Sequence, residues 1–205
     1  MLSTKRSRVR ALAGVGMAAV VATIGAVTYS ANAATTAETS LVAPAAVGPD
    51  ARAVSIPGIA DAIKPPKGSR PIGAYIVTNG TQNYTCVVPE GATTGGFTAA
   101  STPEAQLVGT GGKIHHFGGP SWQSLRDNSL VTATKVDGVT KAGTIPELLL
   151  KVATHTGQGI LSRADYINRL YTSGGVAPTT ACTAGQVVKV QYKAVYVFWD
   201  APAAS

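Results

Sequence analysis

Groups able to hold a metal ion or carry out catalysis are scarce in this chain of 205 residues, which has three histidines, two cysteines and ten acidic residues. Neither cysteine has a second Cys or a His at ligand spacing, and no H-E-x-x-H occurs, so the common zinc arrangements are missing. There is no G-x-S-x-G: Gly119-Pro120-Ser121-Trp122 lacks the second glycine and the strand-to-helix context that exposes a nucleophilic serine. Gly109-Thr110-Gly111-Gly112 is followed by strand-forming residues. Without a helix N-terminus to face a pyrophosphate, a nicotinamide site is excluded. The acids are mostly isolated near turns, and nothing pairs two carboxylates for glycoside cleavage. No cofactor is implied, and no internal repeat is present.

The positive charge is largely a property of the first residues. Lys5, Arg6, Arg8 and Arg10 precede the apolar run Ala11 to Val27, and Ala31-Asn32-Ala33 has the small-x-small form of a cleavage site. Residues 1–33 are therefore expected to be a signal peptide, cleaved after Ala33. The Gly and Ser interruptions in the run disfavour a transmembrane anchor. Without those four cations, thirteen Lys and Arg face ten acids, and the formal charge falls from +7 to +3. The remaining cations are scattered singly, so no nucleic-acid footprint exists. The mature chain is expected to be secreted, free of the membrane, and large enough for one domain with one core.

Cys86 and Cys182 both survive cleavage. In an oxidising compartment an even count reads as one disulfide. Closing a loop of roughly a hundred residues stabilises a fold by about 4–5 kcal/mol in the chain-entropy model.

Residues 34–55 form an Ala/Thr/Pro tract without periodicity, expected to be flexible, and 201–205 read as a short C-terminal tail. Prolines and glycines between Ile56 and Arg70 rule out a long helix there. From Gly73 onward, short β-branched and aromatic runs alternate with turn residues. Strands are expected at Ala74–Thr78, Gln82–Val88, Ala105–Val108, Lys113–Phe117, Leu130–Val136, Leu148–His155 and Val187–Trp199. Turns are expected at Gly95-Gly96, Gly111-Gly112, Gly118-Gly119-Pro120, Asp137-Gly138, Gly174-Gly175 and Asn79-Gly80. The last of these is a strong hairpin signal. Thr144-Ile145-Pro146-Glu147 resembles a capping box, and Ile160, Ala164, Ile167 and Tyr171 recur at helical spacing. Strand formers and Gly157 favour strand for 144–155, and strand is also preferred for 160–172. The domain over 56–200 is thus expected to be all-β, an antiparallel sandwich or barrel with one disulfide.

In a strand, the adjacent His115 and His116 point to opposite faces and cannot close on one ion. His115 falls with Lys113 and Phe117, and His116 with Ile114. His116 keeps a claim on function only with distant partners, of which His155 and Asp127 are the candidates for a zinc or general-base site. A hydrogen-bonded structural role is the commoner fate of such a histidine. Trp122 and the tyrosines could line a sugar-stacking face, against the alternative that they are core and cross-strand pairs. Tyr192, Ala194, Tyr196 and Phe198 share one face of their strand. Asn83-Tyr84-Thr85 fits a glycosylation sequon.

The order of short motifs is more specific than any one of them. Gln82-Asn83-Tyr84-Thr85-Cys86, Pro103-Glu104-Ala105-Gln106-Leu107, His116-Phe117-Gly118-Gly119-Pro120-Ser121-Trp122, Asp127-Asn128-Ser129, Ile145-Pro146-Glu147-Leu148-Leu149-Leu150 and the run Ile167 to Pro178 follow in succession before Cys182. Over roughly Ile56 to Trp199 the chain resembles the secreted bacterial and fungal family filed as domain of unknown function 3455. The resemblance implies a single domain behind a signal peptide and makes His116, Trp122, Asp127, Arg169, Cys86 and Cys182 family-matching positions. It implies no established activity. The chain departs from the family's usual Gly at Asn128 and usual Trp at Glu147. It also lacks a Trp between Cys86 and Pro103, where Phe97 is the nearest aromatic.

Three functions remain open. The favoured one is a non-catalytic extracellular binding module, with a cell-envelope or polysaccharide ligand and Trp122, His116 and Arg169 as binding residues. The others are a secreted hydrolase or metal-dependent enzyme using His116, His155 and Asp127, and a structural or stress-related extracellular protein. No residue is assigned as catalytic or as a metal ligand.

Overall fold

The computed structural model describes residues 56–203. The expected leader, the 34–55 tract and the end of the C-terminal tail fall outside the described residues. Nine strands follow a single 3-10 turn at Asp61–Ile63: β1 (Arg70–Val87), β2 (Gly96–Phe97), β3 (Thr102–Gly109), β4 (Gly112–Phe117), β5 (Ser121–Ser124), β6 (Leu130–Val139), β7 (Glu147–Thr156), β8 (Tyr166–Gly174) and β9 (Val187–Asp200).

Every pairing between these strands is antiparallel, and β9 returns to pair with β1. Eight strands therefore close into an up-and-down barrel, with the two-residue β2 added to the end of β1. Of the two all-β architectures expected, the chain adopts the barrel. Closure satisfies the backbone groups that an open sheet would leave at its edges.

Alternation along each strand sorts side chains between lumen and exterior. Tyr192, Ala194, Tyr196 and Phe198 of β9 face inward together, as their spacing predicts, and join Tyr75, Leu107, Ile114, Trp122, Val131 and Ile167 in the core. A second, smaller cluster covers the outside of β7, β8 and β9, where Ile63 packs with Leu149, Leu170, Val197 and Trp199. Asn168 ties this layer down. Its Nδ2 donates to Ile63 O at 2.8 Å and to Leu148 O at 3.0 Å, and its Oδ1 accepts from Trp199 Nε1 at 2.9 Å.

An up-and-down winding sends the β3–β4, β5–β6 and β7–β8 turns to one end and the other connections to the opposite end. The first end is shut. The β7–β8 connection lays Leu161 and Ala164 into the core, and both are essentially without exposure. Asp127 and Ser129 of the β5–β6 turn hold that connection through Ile160 N (3.0 Å to Asp127 Oδ2) and Leu161 N (3.2 Å to Ser129 Oγ).

Three local expectations are corrected, and one strand is new. Asn79-Gly80 is not a hairpin: β1 runs straight through it. A two-residue hairpin turn would need positive φ at both residues, and neither has it. A bulge between Val77 and Asn79 takes up the extra residue. Gly80 is required by packing, since a Cβ there would lie 2.6 Å from Val77, 2.9 Å from Tyr192 and 3.0 Å from Ala105. Asp137-Gly138 likewise lies within β6, paired to Leu149 and Leu148 beyond another bulge. Ser121–Ser124, which falls in no expected element, forms β5 between two longer strands. The strand expected over 160–172 begins only at Tyr166, because 160–165 is used to shut the barrel end. Strand over 144–155 agrees with β7, which starts at Glu147.

The disulfide between Cys86 and Cys182 is formed, with Cα atoms 6.0 Å apart. It joins the end of β1 to the β8–β9 connection, at the opposite end from Leu161. Backbone hydrogen bonds between Gly95 and Cys182, at 2.9 and 3.1 Å, bring the start of β2 against the same bridge.

Candidate functional site

The second end of the barrel holds a cavity of about 450 Å³. Small inward residues on the walls, Ala133 of β6 among them, leave room where larger side chains would fill the lumen. An eight-stranded barrel is just wide enough either to be packed solid or to hold one small ligand. Here its closed half is packed and its open half is not.

His116, Trp122 and Tyr196 form the aromatic part of the cavity lining. His116 and Trp122 pair across β4 and β5, and their rings stack with centroids 4.3 Å apart and planes 5° from parallel. Tyr196 meets both at an angle, at 5.1 Å from His116 and 5.8 Å from Trp122. His116 is fully buried, and its Nδ1–H donates to Ser121 O at 2.8 Å. A carbonyl can only accept, so Nε2 is the unprotonated nitrogen. Burial is the main force on its acidity, helped by the charge of Arg169 and opposed by the Ser121 bond. Together they depress its pKa to about 3. The ring is neutral at ordinary pH.

Arg169 of β8 enters the same cavity wall. Its Nε donates to Pro146 O at 3.0 Å, and its guanidinium acts electrostatically on His116, Tyr192 and Tyr196. Burial pushes both phenols upward in pKa, and Arg169 pulls them partly back. Among the described residues no carboxylate pairs with Arg169. Gln82 of β1, buried at 2% exposure, accepts from Ser101 Oγ through Oε1. Its Nε2 has no partner in hydrogen-bonding geometry, although the amide is close enough to influence the Tyr192 hydroxyl. The indole Nε1–H of Trp122 is likewise buried without a partner.

A model of the family described as "Protein of unknown function (DUF3455)" matches residues 66–200, which take in all nine strands and the whole cavity lining. The chain belongs to that family. No curated protein and no solved structure matches it. Two of the departures from the pattern that the resemblance implied, Asn128 and Glu147, now have a structural setting. Asn128, where Gly is usual, sits at φ 59°, in the left-handed region that glycine enters freely and that asparagine tolerates better than most residues. Glu147, where Trp is usual, is buried at the start of β7 and accepts from Lys141 Nζ and Tyr171 N, each at 2.9 Å.

Trp122, His116 and Arg169, the three binding candidates from sequence, are brought together at the cavity. The catalytic candidates are not. His116 pairs with Trp122, Trp122 with Val131, and Val131 with His155, so the two imidazoles stand three strand spacings apart, about 14 Å along the sheet. Trp122 and Val131 occupy the positions between them. His155 is exposed and makes a 2.8 Å hydrogen bond to Ala164 O. Asp127 stands in the turn at the shut end. Desolvation raises its pKa, but hydrogen bonds from Ser129, Ile160 and Ser124 outweigh it and hold the carboxyl at about 2. It is a brace for two turns. His115 faces outward and meets Glu104 Oε1 at 2.7 Å. Among the described residues, no three His, Cys, Asp and Glu side chains gather at metal-binding spacing.

Of the two readings of the aromatics, most follow the core one, with Tyr171 exposed. The rings of Tyr75, Tyr84, Trp122, Tyr192 and Tyr196 point into the barrel, and Trp199 is covered by the outer cluster. Sequence reasoning passed over Gln82 and Lys135 as cavity residues and named Tyr196 only among the aromatics. Gln82 carried a usable signal. It is an amide at an inward position of a strand whose inward neighbour, Tyr84, is buried and apolar in its ring.

Proposed function

We propose that this protein is a secreted, non-catalytic binding module that takes one small ligand into the open end of its barrel. The observation that carries the reading is the 450 Å³ cavity, with an aromatic lining backed by a packed core and a shut far end. Cavities of this size and mixed lining suit small ligands, whose specificity a few placed polar groups supply. Secretion rests on the leader pattern of residues 1–33. The ligand is then a small molecule of the envelope or the surrounding medium, a short sugar included. The flat face of a polysaccharide is disfavoured, because the rings that would stack on it are turned inward.

The reading is tested by two-dimensional NMR of the indole N–H groups with a fragment set of mixed charge. Trp122 lies at the cavity and Trp199 outside the barrel, so the two tryptophans form an internal control. Bound fragments are expected to move the Trp122 signal and spare that of Trp199. Ala133→Leu, which fills the cavity from its β6 wall, should abolish the response. Fragments that bind equally well to Ala133→Leu, or a set in which nothing moves the Trp122 signal, would remove the barrel end as a binding site.

A further inference from the structure

We infer that the ligand is an organic acid, its carboxylate held by Arg169, Gln82 and Trp122 and its apolar body resting on the cavity wall. The inference rests on the reading of the barrel end as a binding site and adds the chemistry of what enters it.

Donor groups dominate the polar part of this cavity. Gln82 Nε2 and Trp122 Nε1 are buried N–H groups with no partner in hydrogen-bonding geometry, the Gln82 amide lying near the Tyr192 hydroxyl. A donor left unpaired in a buried site forfeits the hydrogen bonds that water would give it, so an acceptor delivered by a ligand restores a real loss. Arg169 spends Nε on Pro146 O and a further donor on the neighbouring Tyr196 hydroxyl, and of the five N–H donors of a guanidinium the others are able to donate to a ligand. Lys135 adds a second cation at the exposed part of the lining. No Asp or Glu lines the cavity. Glu147, the acid nearest in sequence along the β7 wall, is engaged by Lys141 and by Tyr171 N. His116 contributes no charge, since its ring is neutral with Nδ1–H spent on Ser121 O.

Two cations and two unpartnered neutral donors, with no counter-ion, call for an acceptor-rich anion. The planar guanidinium fork matches a carboxylate edge with two parallel hydrogen bonds, which favours a carboxylate over a lone halide or a neutral carbonyl. The rest of the wall, including Pro103, Leu148, Leu150 and the Tyr196 ring, is apolar and suits a hydrocarbon or aromatic body. A free inorganic anion would leave that surface uncovered.

The test compares naphthalene-2-carboxylate, its neutral counterpart 2-naphthalenemethanol, and acetate by calorimetric titration of the disulfide-bonded protein. The carboxylate is expected to bind roughly ten- to a hundredfold more tightly than the alcohol, the factor that a hydrogen bond to a charged group supplies. Acetate, lacking the body, should bind far more weakly. Arg169→Met should erase the preference for the acid while leaving the alcohol unchanged, and Gln82→Met should reduce it several-fold. If Arg169→Met does not fold, Gln82→Met and Lys135→Met carry the comparison. Equal affinity of wild type for acid and alcohol overturns the carboxylate inference and leaves the binding cavity standing. Failure of both naphthalene probes to bind overturns the inference together with the cavity reading. A preference for the acid that survives Arg169→Met overturns the assignment of the anion to Arg169.

Discussion

The imidazole of His116 lies flat on the indole of Trp122, 4.3 Å away and 5° from parallel, and the pair sits where the packed half of the barrel meets the open half. Cross-strand pairing of β4 with β5 sets this contact, and the Ser121 carbonyl fixes the tautomer that faces it. The stack has structural and functional consequences that can be separated.

Removing the indole should cost stability outright. Trp122→Ala is expected to destabilise the fold by about 3–5 kcal/mol, the usual penalty for deleting a large buried aromatic. Trp122→Phe, which keeps a ring against His116 but drops the orphaned N–H, should cost clearly less. Urea denaturation of the three proteins checks the order. Equal losses for Phe and Ala would show that the stacked ring contributes little.

His116 makes stability depend on pH in a defined direction. Its folded pKa of about 3 lies below the ordinary value of 6.5, so the unfolded chain takes up a proton first as pH falls. The contribution of the neutral ring is complete above pH 6.5 and is lost progressively from there toward pH 3. The slope approaches 1.4 kcal/mol per pH unit for one proton. Denaturation midpoints measured between pH 7 and pH 4 should fall for wild type and flatten for His116→Gln. Parallel curves for the two proteins would assign the acid sensitivity to other groups. Asp127 acts in a lower window, between its ordinary 3.8 and its folded value of about 2, so Asp127→Asn should leave the pH 7 to 4 slope unchanged.

Gly80 should tolerate no side chain. Gly80→Ala places a methyl 2.6 Å from Val77 Cγ1 and 2.9 Å from the Tyr192 ring. Overpacking of this kind typically costs 1–3 kcal/mol. Were Asn79-Gly80 a hairpin turn, an alanine would fail through its φ instead and would spare the packing around Tyr192. Near-ultraviolet circular dichroism distinguishes the two, because only overpacking disturbs the tyrosine environment.

Asn168 is expected to hold the N-terminal layer. Asn168→Leu removes the bonds to Ile63 O, Leu148 O and Trp199 Nε1, leaving three buried partners to find others. Amide hydrogen exchange should rise over 56–63 and around Trp199, with the barrel core and probe binding at the open end unaffected. Exchange that rises uniformly over all strands would mean that the layer is part of one cooperative unit.

Reduction of Cys86–Cys182 should lower stability without opening the barrel. The bridge closes a loop spanning 96 positions, for which chain entropy gives about 4–5 kcal/mol. Cys86→Ser with Cys182→Ser should lower the denaturation midpoint and retain the native circular dichroism. A double variant as stable as wild type would show the connection to be held by other contacts.

Much of this architecture is legible in the chain itself. Alternating inward residues such as Tyr192, Ala194, Tyr196 and Phe198 determine an all-β fold, because a period of two leaves one face to bury and one to solvate. The opposed directions of His115 and His116 follow from the same period, and two cysteines allow one intrachain pairing. Turn chemistry also decided Gly111-Gly112 and Gly118-Gly119-Pro120, where short strands end on both sides.

Tertiary structure decided the rest. Asn79-Gly80 has the local form of a turn, yet both residues pair with β3, and β9 pairs with β1 on either side of them, up to Ile76 and again from Thr81. Local propensities of about a kilocalorie are readily outweighed by continuous pairing with a neighbouring strand. Barrel rather than sandwich depends on β1 meeting β9, a contact between chain ends that no short window contains. The candidate site is nonlocal for the same reason. Gln82, Trp122 and Arg169 come from three strands and converge only when the sheet closes, and their unpaired donors become visible only once burial has removed the water around them.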